Sequence, residues 1–113
     1  MPEEVARIDD ANIEEKVWNS ELPAVLDFWE PESADYCNKE KVLTAVAKDY
    51  QDQVSVYRVD VRSGEKAVAW ADMRAFPTLV FAHKKEIVET SIGILRKTEL
   101  VRLIDRNLEK LNP

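Results

Sequence analysis

The sequence predicts an α/β fold, a mixed central β-sheet flanked by helices on both faces. Three observations carry this expectation. Ala24, Val25, Leu26, Phe28 and Trp29 form a nearly unbroken apolar run, which suits a central strand covered on both sides. Segments of strand and helix periodicity alternate in the order β-α-β-α-β-α-β-β-α. The last two strands are separated only by the polar turn His83-Lys84-Lys85-Glu86, so an antiparallel hairpin joins strands otherwise linked through helices.

Taken in order, Val5 and Ile8 belong to a short first strand. Asp9 and Asp10 are N-cap candidates for a helix from Asn12 to Trp18, with Ile13, Val17 and Trp18 on one face. Pro23 ends that segment, because the residue before a proline avoids helical geometry. The strand Ala24–Trp29 follows, with one carboxylate, Asp27, inside it. A polar turn containing Pro31 leads to a second helix over about 34–50. Tyr36, Leu43, Val46, Ala47 and Tyr50 share its apolar stripe. Cys37 falls off that stripe, so its thiol is expected at the helix edge or exposed, with the Tyr36 ring toward the core. Val54–Val61 reads as a strand and Gly64–Met73 as a short helix. Phe76–Phe81 is a strand that opens on a proline, where a ladder donor is missing. Ile87–Ile92 closes at Gly93. Leu100, Leu103, Ile104, Leu108 and Leu111 line one face of a final helix over Thr98–Leu111. Trp18, Trp29 and Trp70 are expected in the core.

The chain has 113 residues, enough for one domain over residues 1–113 with one core. Hydrophobic residues make up 45% and charged residues 34%, which places it among ordered globular chains. A net charge of −6 argues against nucleic acid or an anionic membrane as partner. The opening Met-Pro-Glu-Glu-Val lacks the basic and apolar regions of a secretory signal, so a cytoplasmic location is expected. With one cysteine and one histidine, the chain offers neither an internal disulfide nor a zinc ligand set; no metal and no cofactor is expected.

At Val25-Leu26-Asp27-Phe28-Trp29, Val59-Asp60-Val61, Phe76-Pro77-Thr78-Leu79 and Gly93, the chain resembles the thioredoxin family. The resemblance runs without a gap from about Pro23 to Leu108. It implies the thioredoxin fold, with a cis peptide before Pro77 beside the active site. The working end departs from the family. Where thioredoxins carry Trp-Cys-Gly-Pro-Cys, this chain reads Glu32-Ser33-Ala34-Asp35-Tyr36. Ser33 stands at the position of the nucleophilic cysteine and Tyr36 at that of the resolving one. Dithiol exchange needs one sulfur to attack and a second to displace the mixed disulfide. The chain holds one sulfur of this kind, Cys37, so the family's reductase chemistry is excluded by stoichiometry.

The resemblance implies roles for several remaining residues. In the family the carboxylate matching Asp27 relays protons to the buried thiol; here Tyr36 holds the thiol's place. A buried carboxylate needs a partner. Arg58 matches a basic family position that approaches it, so the expectation is a structural polar pair of Asp27 with Arg58 or with the Tyr36 hydroxyl. Ser33 reads as a helix N-cap, since a serine nucleophile needs an adjacent base and His83 is placed at a distant turn. Cys37 is a possible reactive thiol: the first turn of a helix favours thiolate, and the acidic neighbours Glu30, Glu32, Asp35 and Glu40 oppose it. Val61, Phe76, Pro77, Ile92 and Gly93, with Ala75 beside them, match the apolar rim that grips extended segments in thioredoxins. Phe76 and Ile92 fit equally the role of core cover. The leading expectation is a protein- or peptide-binding or chaperone-like module, with its acidic loop favouring basic partners. The alternative is a monothiol redox protein forming mixed disulfides through Cys37.

Overall fold

The computed structural model describes residues 5–30, 36–93 and 95–112, with the backbone alone at 36 and 37. The strands are β1 (Ala6–Ile8), β2 (Ala24–Trp29), β3 (Ser55–Asp60), β4 (Thr78–His83) and β5 (Glu86–Ile92). The α-helices are α1 (Tyr36–Asp49), α2 (Glu65–Ala71) and α3 (Lys97–Leu111). The sheet order is β1-β3-β2-β4-β5; β3 runs parallel to β1 and β2, while β4 is antiparallel to both β2 and β5. This is the mixed α/β sheet that the periodicity predicts.

The pleat of β2 divides the interior into two layers, because successive side chains point to opposite faces. Val25 joins Leu43, Val46, Phe81, Leu100 and Ile104 under α1 and α3. Leu26 and Phe28 join Ile8, Ile13, Val17, Ala67 and Val80 on the α2 side. Each fully buried Leu, Ile or Phe here contributes about 1.5–3 kcal/mol through lost water contact. α2 lies close to β3 at Gly64, where a Cβ would come within 2.7 Å of Val59 Cγ1.

Local structure departs from the sequence expectation, or adds to it, in five places. Glu14–Trp18 is π-helical, closed by Asn19 N–H donating to the Glu14 carbonyl at 2.8 Å. Ile13 and Val17 are buried as the pattern required, but Trp18 and Trp70 are only half-buried and meet edge to face, with centroids 5.7 Å apart. β4 begins at Thr78, two residues later than the apolar run suggests. Lys84-Lys85 is more than a solvated turn: Lys85 Nζ lies 4.4 Å from the Trp18 ring centroid, and its carbonyl accepts the Trp70 indole N–H at 2.9 Å. Arg96, at the N-cap of α3, carries no Ser or Thr oxygen. Glu99 contributes the other half of a capping box, accepting the Arg96 backbone N–H at 3.0 Å.

The capping candidates act locally and at a distance. Asp9 Oδ1 accepts the backbone N–H groups of Ala11 and Asn12 at 2.9 and 3.1 Å. Asp10 reaches across to α2, where its Oδ1 accepts the Lys66 N–H at 2.7 Å. The proposed helix N-cap Ser33, with Ala34, Asp35 and Glu32, lies outside the described residues, as do the side chains of Tyr36 and Cys37.

Candidate functional site

The strand registers gather one group of the sequence-selected residues at a single end of the sheet. Trp29, the last residue of β2, stands opposite Asp60, the last of β3, and the Val61 N–H points at the Trp29 carbonyl, 3.5 Å away. On the other side of β2, Phe28 pairs with Thr78, and Thr78 pairs with Ile92. Gly93 N–H donates to the Pro77 carbonyl at 2.9 Å. The loop before β4 is thus stitched to the end of β5. It is also tied to itself, since the Thr78 hydroxyl donates to the Ala75 carbonyl at 2.6 Å.

The Phe76–Pro77 peptide is cis. Gly93 has φ of +105°, a backbone region that residues with a Cβ rarely adopt. Ala75, Pro77 and Val61 are half-buried. Phe76 is 47% exposed and Ile92 62% exposed, and they are the large apolar side chains left open to solvent among the described residues. Core cover does not account for such exposure. Two neighbouring apolar side chains held out beside a tied loop form a surface suited to another chain. Glu30, at the end of β2, is exposed next to it.

Beneath this end lies a buried ionic cluster. Arg7, Asp27, Trp29 and Arg58 share the α1-facing side of the sheet, because Arg7, Asp27 and Arg58 are aligned by register and Trp29 lies two residues beyond Asp27. Arg58 Nε donates to Asp27 Oδ2 at 3.1 Å, and both side chains are 1% exposed. Lys39 of α1 places Nζ 3.9 Å from Asp27 Oδ1. Glu40 Oε1 accepts from Arg7 Nη2 at 3.0 Å and lies 3.4 Å from Arg58 Nη1. The guanidinium carbons of Arg58 and Arg7 stand 4.7 and 5.6 Å from the Trp29 ring centroid, within cation–π range. Burial pushes the Asp27 carboxyl above its usual range; Lys39 and Arg58 pull it back only in part.

From the sequence, Glu40 enters only as an acidic neighbour of Cys37 and Lys39 not at all, although the signal for both as inward-facing charges is present. They lie three and four residues after Tyr36, on the stripe that continues to Leu43, so helical periodicity faces them to the sheet. A charged pair on a buried stripe opposite a strand carboxylate marks an internal ionic cluster.

No helix among the described residues is long and apolar enough to cross a membrane. The five-stranded order, the cis-proline loop and the buried carboxylate beneath it together define a thioredoxin-like α/β domain. A thioredoxin family profile matches residues 4–106. The chain is 31% identical over 105 residues to the thioredoxin of Haemophilus influenzae, covering 93% of this chain and 98% of that protein. It is 29% identical over 108 residues to the thioredoxin of Buchnera aphidicola, covering 92% and 96% of the two chains. The thioredoxin of Pseudomonas aeruginosa is 28% identical over 112 residues, 96% of this chain and all of that one. The chain therefore belongs to the thioredoxin family.

Proposed function

We propose that this thioredoxin-family chain works without dithiol–disulfide exchange, as a cytoplasmic single-domain module that binds extended protein segments at the Pro77 end of its sheet. The observation that carries this reading is the exposure of Phe76 and Ile92 beside Pro77 and Gly93. A segment laid along the Ala75–Pro77 loop would gain apolar contact from Phe76, Ile92 and Val61. The exposed Glu30 directly after β2 favours segments that carry basic side chains. The sequence holds one cysteine, so a mixed disulfide formed at Cys37 has no internal resolving thiol.

Two assays test this. The chain suppresses aggregation of a reduced, unfolded reporter protein, and it fails to turn over a disulfide substrate with dithiothreitol as reductant. Multi-turnover reduction would overturn the reading.

A second reading rests on the place of Cys37 in the first turn of α1, where the helix dipole favours a thiolate. There the Cys37 thiolate attacks a substrate disulfide, releasing one substrate thiol, and an external thiol such as glutathione then displaces the mixed disulfide. Cys37→Ser separates the two: the binding module keeps its reporter protection, while the monothiol protein loses every covalent adduct and the activity that depends on it.

A further inference from the structure

The end of the sheet away from Pro77 carries a second feature. There β2 and β3 begin, β4 ends and α3 ends. The length of β2 separates the two ends by about 17 Å at roughly 3.3 Å per residue. A cleft of about 360 Å³ lies there, with Leu22, Leu108 and Leu111 as apolar wall and Glu21 and Asp52 on the rim. His83 Nε2 donates to the Glu21 carbonyl at 3.2 Å, which holds the Glu21 loop against the end of β4. α3 closes on its C-cap, Asn112, at the same cleft, so the negative end of its dipole adds to the two carboxylates. Among the described residues, Lys84 is the cation within ion-pair distance of this rim. It stands 3.8 Å from Glu21, and both side chains are largely exposed.

We propose that this cleft docks a lysine or arginine side chain presented by a protein partner. Its methylenes lie on Leu22, Leu108 and Leu111, and its charge sits at Glu21 and Asp52 in water. Long basic side chains bury in this way, stem against apolar surface and head in solvent. A lone blocked lysine buries few atoms in so open a cleft and should bind with a dissociation constant on the order of millimolar, which an amide-shift titration still saturates; the chain that carries the group in a partner adds further contact. A negative rim also selects against acidic segments at this end. Phe76 and Ile92 lie at the other end of the sheet, so the two surfaces can be lost separately.

The test is an amide-shift titration of the isotope-labelled chain with Nα-acetyl-lysine methylamide, against the uncharged Nα-acetyl-norleucine methylamide. The lysine probe should give saturable shifts at Leu22, Gln53, His83 and Leu111, and the norleucine probe none. The double variant Glu21→Gln, Asp52→Asn should weaken the lysine probe about tenfold. Both positions are exposed, so its spectrum elsewhere should match the parent. Shifts that never saturate, equal shifts from norleucine, or unchanged affinity in the double variant would overturn the site. Tighter binding of diaminobutane than of blocked lysine would overturn a side chain as the occupant.

Discussion

Arg58 and Asp27 meet at 3.1 Å, across adjacent parallel strands, with neither side chain open to solvent. Taking both charges out of water costs more than their attraction returns in many proteins. The rise of the Asp27 carboxyl despite two nearby cations says the same of this pair. Between the unfolded value of 3.8 and the higher folded one, the folded state holds the extra proton. Stability from this group is therefore full below 3.8 and declines as pH rises through the folded pKa. Asp27→Asn should remove that decline. Denaturant unfolding of parent and variant from pH 4 upward checks it; parallel pH profiles would show that Asp27 does not titrate as described.

Removing the cation should do the reverse. Arg58→Met leaves Asp27 with Lys39 as its cation, at 3.9 Å and largely buried. The loss should be about 3 kcal/mol above the folded pKa of Asp27, where the buried carboxylate is left with Lys39 alone. It should shrink as pH falls through that pKa, because Asp27 then becomes neutral. A loss independent of pH would place the effect in packing against Trp29 instead.

Glu89 carries the opposite linkage. Arg106 donates to it through Nε at 3.0 Å and through Nη2, and the Asn107 amide donates at 2.8 Å. The Arg106 hydrogen bond is the main cause that holds its carboxyl down at about 2, against an ordinary 4.5. This stability is present above 4.5 and lost as pH falls toward 2. The site is partly exposed, so its share is about 1 kcal/mol after screening. Glu89→Gln should lower stability by that amount at pH 7 and leave it unchanged at pH 2, as read by thermal unfolding.

What could be read in the sequence follows from how each signal arises. Apolar spacing reports burial directly, so β2 and the stripes of α1 and α3 were legible from Val25, Leu43, Val46, Leu100 and Ile104. A π-turn leaves nearly the same spacing as an α-turn, so Glu14–Trp18 could not be told apart. Asn107 is fully buried on α3, but only its bonds to Glu89 and the Leu103 carbonyl explain a polar residue there. The Leu103 carbonyl is one turn back in the same helix, but the Glu89 partner depends on where β5 lies against α3, which no local pattern states. At the Pro77 end, the residues were selected by resemblance. The exposure of Phe76 and Ile92 needed the packed sheet, because apolar residues at a strand end look the same whether covered or open.

The hairpin turn between β4 and β5 can be improved. Lys84 sits at φ +58°, in the left-handed region where a Cβ is disfavoured. Its contact with Glu21 is exposed and contributes little. Lys84→Gly should therefore stabilise the protein by about 0.5–1 kcal/mol, raising Tm by roughly 4–8 °C per kcal/mol. A lower Tm would mean that the turn relies on the lysine side chain.

The binding surface at Pro77 makes the most direct claim on function. Phe76 and Ile92 are exposed, so replacing them with serine removes little buried area, and stability should stay within about 0.5 kcal/mol of the parent. The binding contribution of such side chains is larger, because they are desolvated only when a partner covers them. The double variant Phe76→Ser, Ile92→Ser should thus unfold with the parent yet lose most of its protection of an unfolded reporter. Glu30→Lys, at the same end of the sheet, should weaken protection of a basic reporter more than of an acidic one. Aggregation followed by light scattering measures both effects. Full protection by the double variant would overturn this surface as the binding site, since no other pair of large apolar side chains among the described residues stands as far out of the core.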